Sequence, residues 1–473
     1  MNSTEKKLLR GVLFLLPLAL AFVGLLYAGE TPLDALFSGV IMYALNYGDS
    51  PPNLAVQVAR WTAPMVTATG IALAFAPVVR MLQARLLYRR GNSVAVYGDE
   101  EIFEQLKNAP GIRAIRGEKT LLPAHRYVLF AEEEENLRFY MTHRPALEQR
   151  EVYLRCSSLR SQELGGGRLH LYSMEEVGAR LFWKQAGLLR QYAQGGREMH
   201  IALVGFGRLG EQLLLWGLQN NIFAPDQRIV YDVFGADESF QRLHHELSSV
   251  RDPVRFHGDW REALPLLQQA DRILVVQQED QLLLLEELLF ALNATALDVL
   301  AAEPEQLRLL EDQGRLRIFP WKEQALLPEN LFDEKTLKRA KAINLRYAHL
   351  YGGVEETEEN AESEWLKLNS FTRYSNISAA DYHEIRLQML AARGIAPDPG
   401  ALDPQTLELL SELEHIRWER FHYLNNWRHG EKLNGRAKNP AQRTHSDLIP
   451  YQDLTEGEKE KDRENIRTLL QVR

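Results

Sequence analysis

The sequence predicts a membrane-attached α/β protein with a small, mostly helical domain at its C-terminus. Two observations lead to this fold class. Two uncharged apolar segments, residues 11–29 and 61–79, are each long enough to cross a hydrocarbon core of about 30 Å. Strand and helix patterns then alternate up to residue 340, as in parallel doubly wound sheets. The predicted parts are a two-span domain, two α/β domains, an acidic linker and a helical domain: residues 1–90, 91–197, 198–340, 341–366 and 367–473.

Composition narrows the classes of partner. The 473 residues carry a net charge of −9, and no stripe of lysine and arginine follows any predicted helix, so nucleic acid is not an expected partner. Cys156 is the single cysteine, which excludes a disulfide framework and a cysteine-rich metal site. No metal site is predicted.

Basic residues set the predicted membrane topology. They precede the first apolar segment and follow the second, and none lies between residues 30 and 58. By the positive-inside rule both termini are cytoplasmic, in a two-pass protein of the inner (plasma) membrane. A cleavable secretory signal ending near Ala28 is the alternative for the first segment, and the second segment argues against it.

The connection between the two segments predicts a re-entrant loop. Residues 33–45 have the apolar spacing of a short helix, and residues 46–52 form an extended, proline-ended segment. Irregular backbone at membrane depth is tolerated where it is buried in protein or lines water. An ordinary polar hairpin between two anchoring helices is the alternative.

Residues 44–52, ALNYGDSPP, resemble the TVGYGD filter of potassium channels. Tyr47, Gly48 and Asp49 agree with that motif. Ala44, Leu45 and Asn46 replace its threonine, valine and first glycine. Ala44 lacks the hydroxyl that would coordinate an ion, whereas asparagine enters left-handed backbone readily. The resemblance implies a path for a monovalent cation without strict potassium selectivity.

The glycine-rich stretch after residue 200 predicts a nucleotide-binding, Rossmann-like unit. An apolar strand leads into Gly205, Gly207 and Gly210 and then into a helix. Phe206, Arg208 and Leu209, which lie between these glycines, complete the predicted nucleotide-binding loop. The glycines permit a tight turn, close approach of a pyrophosphate and close helix packing. Asp232, at the expected end of the next strand, is the predicted ribose contact. A structural glycine turn is the alternative.

The earlier α/β domain keeps only one glycine of this signature, Gly98 after the strand 93–97, so we interpret it as a ligand-poor copy. Two apolar spans, a pore-like loop and two such domains resemble the RCK-gated potassium channels. That resemblance implies a homotetramer with a cytosolic ring that binds an adenine nucleotide or NAD-type dinucleotide as regulatory ligand. It also matches Gly205 to Gly210, Asp232 and Asp259 to nucleotide contacts, with Asp259 on the adenine side.

The C-terminal sequence after the glutamate-rich linker resembles the ryanodine-receptor repeat domain. The resemblance rests on residues 415–433, HIRWERFHYLNNWRHGEKL, and on residues 444–467, with Asn426 in place of a common glycine. Clustered aromatic and charged residues there predict a pocket that stacks a base and meets phosphate: His415, Trp418, Glu419, Arg420, Trp427, Lys432 and Tyr451. Core aromatics and surface charges are the alternative reading. The linker is expected to leave this domain free to move.

These parts favour a ligand-gated ion channel over an enzyme. No metalloprotease motif, nucleophile elbow or phosphate-loop lysine is present in the sequence. A non-conducting or membrane-disrupting nucleotide-sensing effector, such as a defence effector, is the first alternative. A membrane-anchored NAD-dependent oxidoreductase is the second.

Overall fold

A computed structural model describes residues 3–158, 167–196, 198–236, 238–292, 295–310 and 314–472, with side chains from residue 12 onward. The chain divides into two units, Met1–Ser93 with Leu122–Ala124, and Val94–Leu121 with His125–Arg473. The first unit contains three helices: α1 (Ser3–Tyr27), α2 (Pro32–Met42) and α3 (Leu54–Arg89).

Small residues let the three helices of the first unit pack closely. Ala21, Ala35, Ala59 and Ala63 are fully buried between them. Asn53 caps α3 through the backbone N–H of residue 56, and its amide donates to the Gly24 carbonyl at 2.6 Å. A side-chain cap and one interhelical hydrogen bond therefore fix where α3 begins against α1.

The outer faces of these helices are apolar. Large side chains such as Phe14, Trp61 and Phe75 are more than half exposed. Among the described residues, α3 is the one helix long and apolar enough to cross a membrane; α1 and α2 contribute shorter apolar stretches, Val12–Tyr27 and Pro32–Met42. The structure thus supports one of the two predicted spans by length and composition.

The second unit begins with a five-stranded sheet in the order β2-β1-β3-β4-β5. Strands β1, β3, β4 and β5 pair in parallel, which confirms the predicted α/β architecture of this region. The order is that of a flavodoxin-like doubly wound sheet. Its elements are β1 (Ser93–Gly98), α4 (Glu100–Asn108), β2 (Arg113–Gly117), β3 (Arg126–Phe130), α5 (Glu133–Leu147), β4 (Glu151–Arg155), β5 (Leu169–Tyr172), α6 (Met174–Gln185) and α7 (Leu189–Gly195).

A six-stranded parallel sheet follows. Its order, β11-β10-β9-β6-β7-β8, is the one found in dinucleotide-binding folds, with the topological switch point between β6 and β9. Its elements are β6 (Glu198–Val204), α8 (Gly207–Asn220), β7 (Arg228–Phe234), α9 (Glu238–Leu243), β8 (Val254–His257), α10 (Leu264–Gln269), β9 (Arg272–Val275), α11 (Gln281–Ala291), β10 (Leu297–Leu300), β11 (Leu316–Phe319), α12 (Trp321–Leu326) and α13 (Pro328–Phe332).

The C-terminal region is mainly helical, as predicted, with one small three-stranded sheet in the order β12-β14-β13. Its elements are α14 (Glu334–Gly352), α15 (Glu358–Lys367), α16 (Ser370–Ala392), α17 (Pro404–Leu424), β12 (Arg428–His429), β13 (Lys438–Asn439), β14 (Thr444–His445) and α18 (Glu456–Gln471).

The prediction of an acidic linker at residues 341–366 is wrong. Helices α14 and α15 occupy these residues except for the short connection 353–357. Thr357 caps α15, and glutamates in the first turn favour a helix because they face the positive end of its dipole. Trp365 is 3% exposed and packs against Ala340 and Ala380, which anchors the segment.

The helical region is not separated from the preceding domains by a flexible tether, because a buried carboxylate on α16 binds side chains of α6 and α8. Asp381, fully buried, accepts hydrogen bonds from Arg180 at 2.8 Å, from Lys184 and from Asn220 at 3.3 Å. Burial alone would raise the pKa of Asp381, but the two cations outweigh it and lower the pKa to about 2. Tyr382 adds a hydrogen bond to the carbonyl of residue 222.

Replacing Asp381 by asparagine should destabilise the protein by about 3 to 5 kcal/mol, because Lys184 loses its counterion and the buried Arg180 is left with Asp333 as its carboxylate partner. In the wild type this stabilisation should be complete above about pH 4 and decline as the pH falls toward 2, since the folded pKa lies below the unfolded one. Denaturant unfolding of the full chain measures both. The exposed Asp453→Asn variant is the matched control, and equal stability of the two variants would contradict the assignment.

Candidate functional site

Gly205 and Gly207 shape the loop between β6 and α8. Their φ values are +83° and +55°, where residues with a side chain are strained. A Cβ atom at Gly205 would lie 2.7 Å from the backbone nitrogen of Gln277, so the sheet itself requires glycine there. A Cβ atom at Gly207 would meet no atom within 4 Å. The open space at Gly207 is where a pyrophosphate is predicted.

Most of the other loop residues pack against neighbouring elements and do not face this space. Gly210 allows α8 to approach Val276, whose Cγ2 would lie 3.2 Å from an added Cβ. Leu209 is buried, and the ring of Phe206 contacts Phe240 with 5.0 Å between centroids. Arg208 is exposed and lies 3.6 Å from a neighbouring carboxylate on α8. Phe206 supplies no side-chain cap, so the helix retains N–H groups available to an anion.

Asp232 does not lie at the position predicted for a ribose contact. Strand β7 continues two residues further, to Phe234, so Asp232 sits inside the sheet opposite Ala202. Its carboxylate is 4% exposed and accepts a hydrogen bond from Nε2 of His257 at 2.7 Å. Phe234 and Gly235 occupy the end of the strand beside the glycine loop.

A cleft of about 320 Å³ opens beside Gly205, and Asp259 is part of its lining. Asp259 accepts from the Arg261 backbone and side chain, and these contacts lower the pKa of its carboxyl. Arg261 also pairs with Glu287 and lies over the ring of Trp260 at 4.7 Å. The cleft therefore carries one exposed guanidinium, that of Arg261, which is paired with two carboxylates. A phosphate that enters the cleft could replace these carboxylates as its partner.

A larger cavity of about 600 Å³, which we term the C-terminal pocket, is lined by α14, α16, α17, α18 and the β13–β14 hairpin. Aromatic rings form its wall. Trp418 lies 4.2 Å from His422 and stacks on His415 at 5.5 Å between centroids. Phe371 stacks on Trp427 at 5.1 Å. Flat rings at the edge of a cavity of this size suit a planar heterocycle.

The hairpin adds positive charge to the pocket. The Lys438 ammonium lies over the rings of Phe371 and Trp427 at 5.1 and 5.2 Å, and burial lowers its pKa. Arg436 is exposed at the same edge. Among the residues that the structure describes, neither cation has a carboxylate within 4.0 Å. Both are therefore available to an anionic ligand.

Two histidines of α17 have opposite protonation preferences. Burial would lower the pKa of His415, but Asp462 at 3.5 Å and Glu419 at 4.0 Å outweigh it and raise the pKa. Burial holds the pKa of His422 well below its usual value. Its Nδ1 donates to the Trp418 carbonyl at 2.8 Å, which makes Nε2 an acceptor. The two imidazoles of the pocket therefore differ in their tendency to bind a proton.

Only part of the predicted C-terminal site lines this pocket. His415 and Trp418 do, and Trp427 supports the wall from behind Phe371. Glu419 is half-buried beside His415, and desolvation raises its pKa to about 7. The Tyr451 hydroxyl donates to a glutamate at 3.1 Å, outside the lining.

Two predicted phosphate contacts lie elsewhere. Lys432 is exposed and outside the lining of the pocket. Arg420 is buried and donates to the Leu218 carbonyl of α8 and to Asp252, both at 2.8 Å. Sequence reasoning instead missed Lys438 and Phe371. A lysine just before the proline-marked turn of the hairpin was the available signal.

The predicted pore loop lies in the first unit. Leu45 has φ +60° and closes α2, with the N–H groups of residues 45 and 46 bonded to the carbonyls of residues 42 and 41. This is a Schellman ending, so Leu45, rather than Asn46, adopts the left-handed backbone. Ala44, Asn46, Gly48 and Asp49 are exposed, and Tyr47 is half-buried against the helices.

Comparison with known families agrees with the C-terminal assignment. Residues 403–472 match the family model of the RyR domain. This range includes α17, the small sheet and α18, which supply much of the pocket. The prediction of a ryanodine-receptor-type domain is confirmed. No curated protein matches the chain.

The two loop glycines allow a matched test of this geometry. Gly207→Ala should cost about 1 kcal/mol of stability, from the positive φ alone. Gly205→Ala should cost about 1 to 3 kcal/mol more, because the new Cβ also overlaps Gln277. Denaturant midpoints of the two full-length variants measure the difference, and equal costs would show that β6 and β9 do not approach as described.

Proposed function

We propose that the protein is a ligand-gated membrane channel for monovalent cations whose cytosolic part senses a nucleotide-type ligand. The observation that carries the proposal is the C-terminal pocket, where Lys438 and Arg436 lie beside an aromatic wall on the same chain as the apolar helix α3. A sensor and a membrane segment in one chain make regulation of permeability the natural role.

The pocket favours a nucleotide over other small ligands. Trp418 and Phe371 offer faces on which a base could stack. The neutral Nε2 of His422 accepts a hydrogen bond, as from an exocyclic amine. Lys438 and Arg436 would meet the phosphates. The glycine loop and its cleft provide a second candidate position for an adenine nucleotide or NAD-type dinucleotide. Regulation rather than hydride transfer is proposed.

The membrane part of the proposal rests on α3 and the loop before it. Only Gly91 and Asn92 separate Arg90, the C-cap of α3, from β1, so a sensor movement would be passed on through the chain itself. One loop cannot surround an ion with carbonyls, so conduction requires several copies. A homotetramer in the plasma membrane, with both termini cytoplasmic, is the assembly we propose.

The loop favours weak selectivity and also keeps a second candidate in view. Ala44 lacks a hydroxyl, and Leu45 occupies the left-handed position with its apolar side chain 80% exposed. An exposed leucine at that point would also suit a nucleotide-sensing effector that disrupts the membrane instead of conducting selectively.

Removing the unpaired cations should weaken ligand binding. Lys438→Ala and Arg436→Ala should each raise the dissociation constant for ATP about tenfold or more, the usual size for a lost hydrogen bond to a charged group. Calorimetry on the detergent-solubilised full chain measures it. Lys432→Ala, an exposed lysine outside the pocket, is the matched control and should bind as the wild type does. If all three variants bind equally, the pocket is not the ATP site.

Ion selectivity should follow the three departures from the filter motif. Liposomes that contain the wild-type protein should pass sodium as well as potassium, because few oxygen atoms of the loop are placed to replace the hydration shell of an ion. The combined change Ala44→Thr, Leu45→Val and Asn46→Gly should favour potassium, and Tyr47→Ala should abolish conduction. Flux in potassium-only and sodium-only gradients measures both. Identical flux in every variant would show that the loop is only a connection between helices.

A further inference from the structure

We infer that the C-terminal pocket and the glycine loop are coupled through helix α8, so that a ligand in the pocket changes the state of the loop. The inference rests on the proposed function, because it takes the pocket to be a ligand site. It specifies which element carries the effect and which hydrogen bonds transmit it.

The two ends of α8 belong to two different sites. At its N-terminus the helix begins at Gly207, in the glycine loop. At its C-terminus, helices α16 and α17 supply the partners of its last backbone groups. Arg420 donates to the Leu218 carbonyl at 2.8 Å, and Tyr382 donates to the carbonyl of Ile222, just beyond the helix. A cation at this end also interacts favourably with the helix dipole.

A continuous chain of direct hydrogen bonds joins the pocket to this end of α8. Arg417, which lines the pocket, donates to the Ser378 hydroxyl at 3.0 Å. The same hydroxyl donates to Oε1 of Gln219 at 2.8 Å. The Gln219 amide donates to the Leu215 carbonyl, one turn back along α8, at 3.0 Å. The Ser378 hydroxyl and the Gln219 amide each accept one hydrogen bond and donate the next, so the links do not compete for the same atom.

Burial makes these links sensitive to the pocket. Arg417, Ser378 and Gln219 are 1%, 0% and 6% exposed. In such an environment a polar group that loses its partner is costly, so neighbouring bonds adjust together. Arg417 is held by Glu414, which also lines the pocket and pairs with the fully buried Arg386. An anion that binds Arg417 would therefore weaken its ion pair with Glu414 and its hydrogen bond to the Ser378 hydroxyl.

The helix can pass the change to the loop because it is a single rigid element. Its 14 residues span about 21 Å at 1.5 Å per residue. Trp183 fixes its middle, donating to the Leu213 carbonyl at 2.9 Å and lying 2.9 Å from where a Cβ atom on Gly217 would be. A shift at Gln219 is therefore expected to tilt the helix about this contact and move Gly207.

Hydrogen exchange of the full chain in detergent, with ATP as probe, tests the coupling. The cleft beside the glycine loop is first filled by Gly258→Trp, a position with ordinary φ and no atom within 4 Å of an added Cβ, so that ATP can act only from the pocket. ATP should then slow exchange at residues 371–379 and 436–445 of the pocket. It should also change exchange in residues 207–220 by about fivefold, the lower end for coupled sites.

Two serine variants separate transmission from binding. Ser378→Ala should abolish the response of residues 207–220 while the pocket response remains. Ser411→Ala is the matched control, because Ser411 is equally buried but its hydroxyl bonds only within its own helix, to the carbonyl of residue 407. Both responses should persist in that variant.

The outcomes distinguish the two ideas. Slowing in the pocket without any change in residues 207–220 would overturn the coupling and leave the ligand site in place. A response of residues 207–220 that survives in Ser378→Ala would overturn the proposed route. No slowing at either place would overturn the proposed pocket, and the coupling with it.

Discussion

The buried carboxylate of Asp381 makes the interactions on which the architecture of the second unit depends. It lies on α16 of the helical region, and its cationic partners Arg180 and Lys184 lie on α6, at the end of the first sheet. Asn220, at the end of α8, donates to the other oxygen. One acid therefore joins the helical region to elements of both sheets, and its desolvation is offset only while all of them stay in place.

This arrangement changes what a small recognition domain can do. A domain on a flexible tether affects its neighbours mainly through local concentration. Here Arg420 reaches Asp252, which in turn accepts from the backbone N–H of Ile229 at the start of β7. Ligand-dependent changes in the RyR-type region would therefore act directly on the sheet that carries the glycine loop.

The sequence was most informative where a backbone requirement fixes the residue. Gly205 and Gly207 could be predicted because their positive φ values disfavour side chains, and close packing against Gln277 also excludes one at Gly205. The parallel sheets followed from alternating apolar strands and helices. The RyR-type domain followed from the resemblance of residues 415–433 and 444–467, and the family match agrees.

The contacts that individual side chains make could not be predicted in the same way. Asp232 was assigned to a strand end that lies two residues further on, because strand length is not encoded by any single residue. Arg420 was read as a phosphate contact, yet it serves the end of a helix 202 residues earlier in the chain. Such pairings depend on how whole elements pack. The glutamates near residue 358 suggested a linker for a related reason, since the helix that orders them is stabilised by the distant burial of Trp365.

We propose that a nucleotide bound in the C-terminal pocket controls the permeability of the membrane. Cation flux through liposomes that contain the full chain, followed while ATP and NAD⁺ are titrated separately, tests it most directly. We expect flux that changes with one of these ligands in the wild type and a loss of this response in Lys438→Ala. Flux that ignores both ligands, or no flux under any condition, would contradict it.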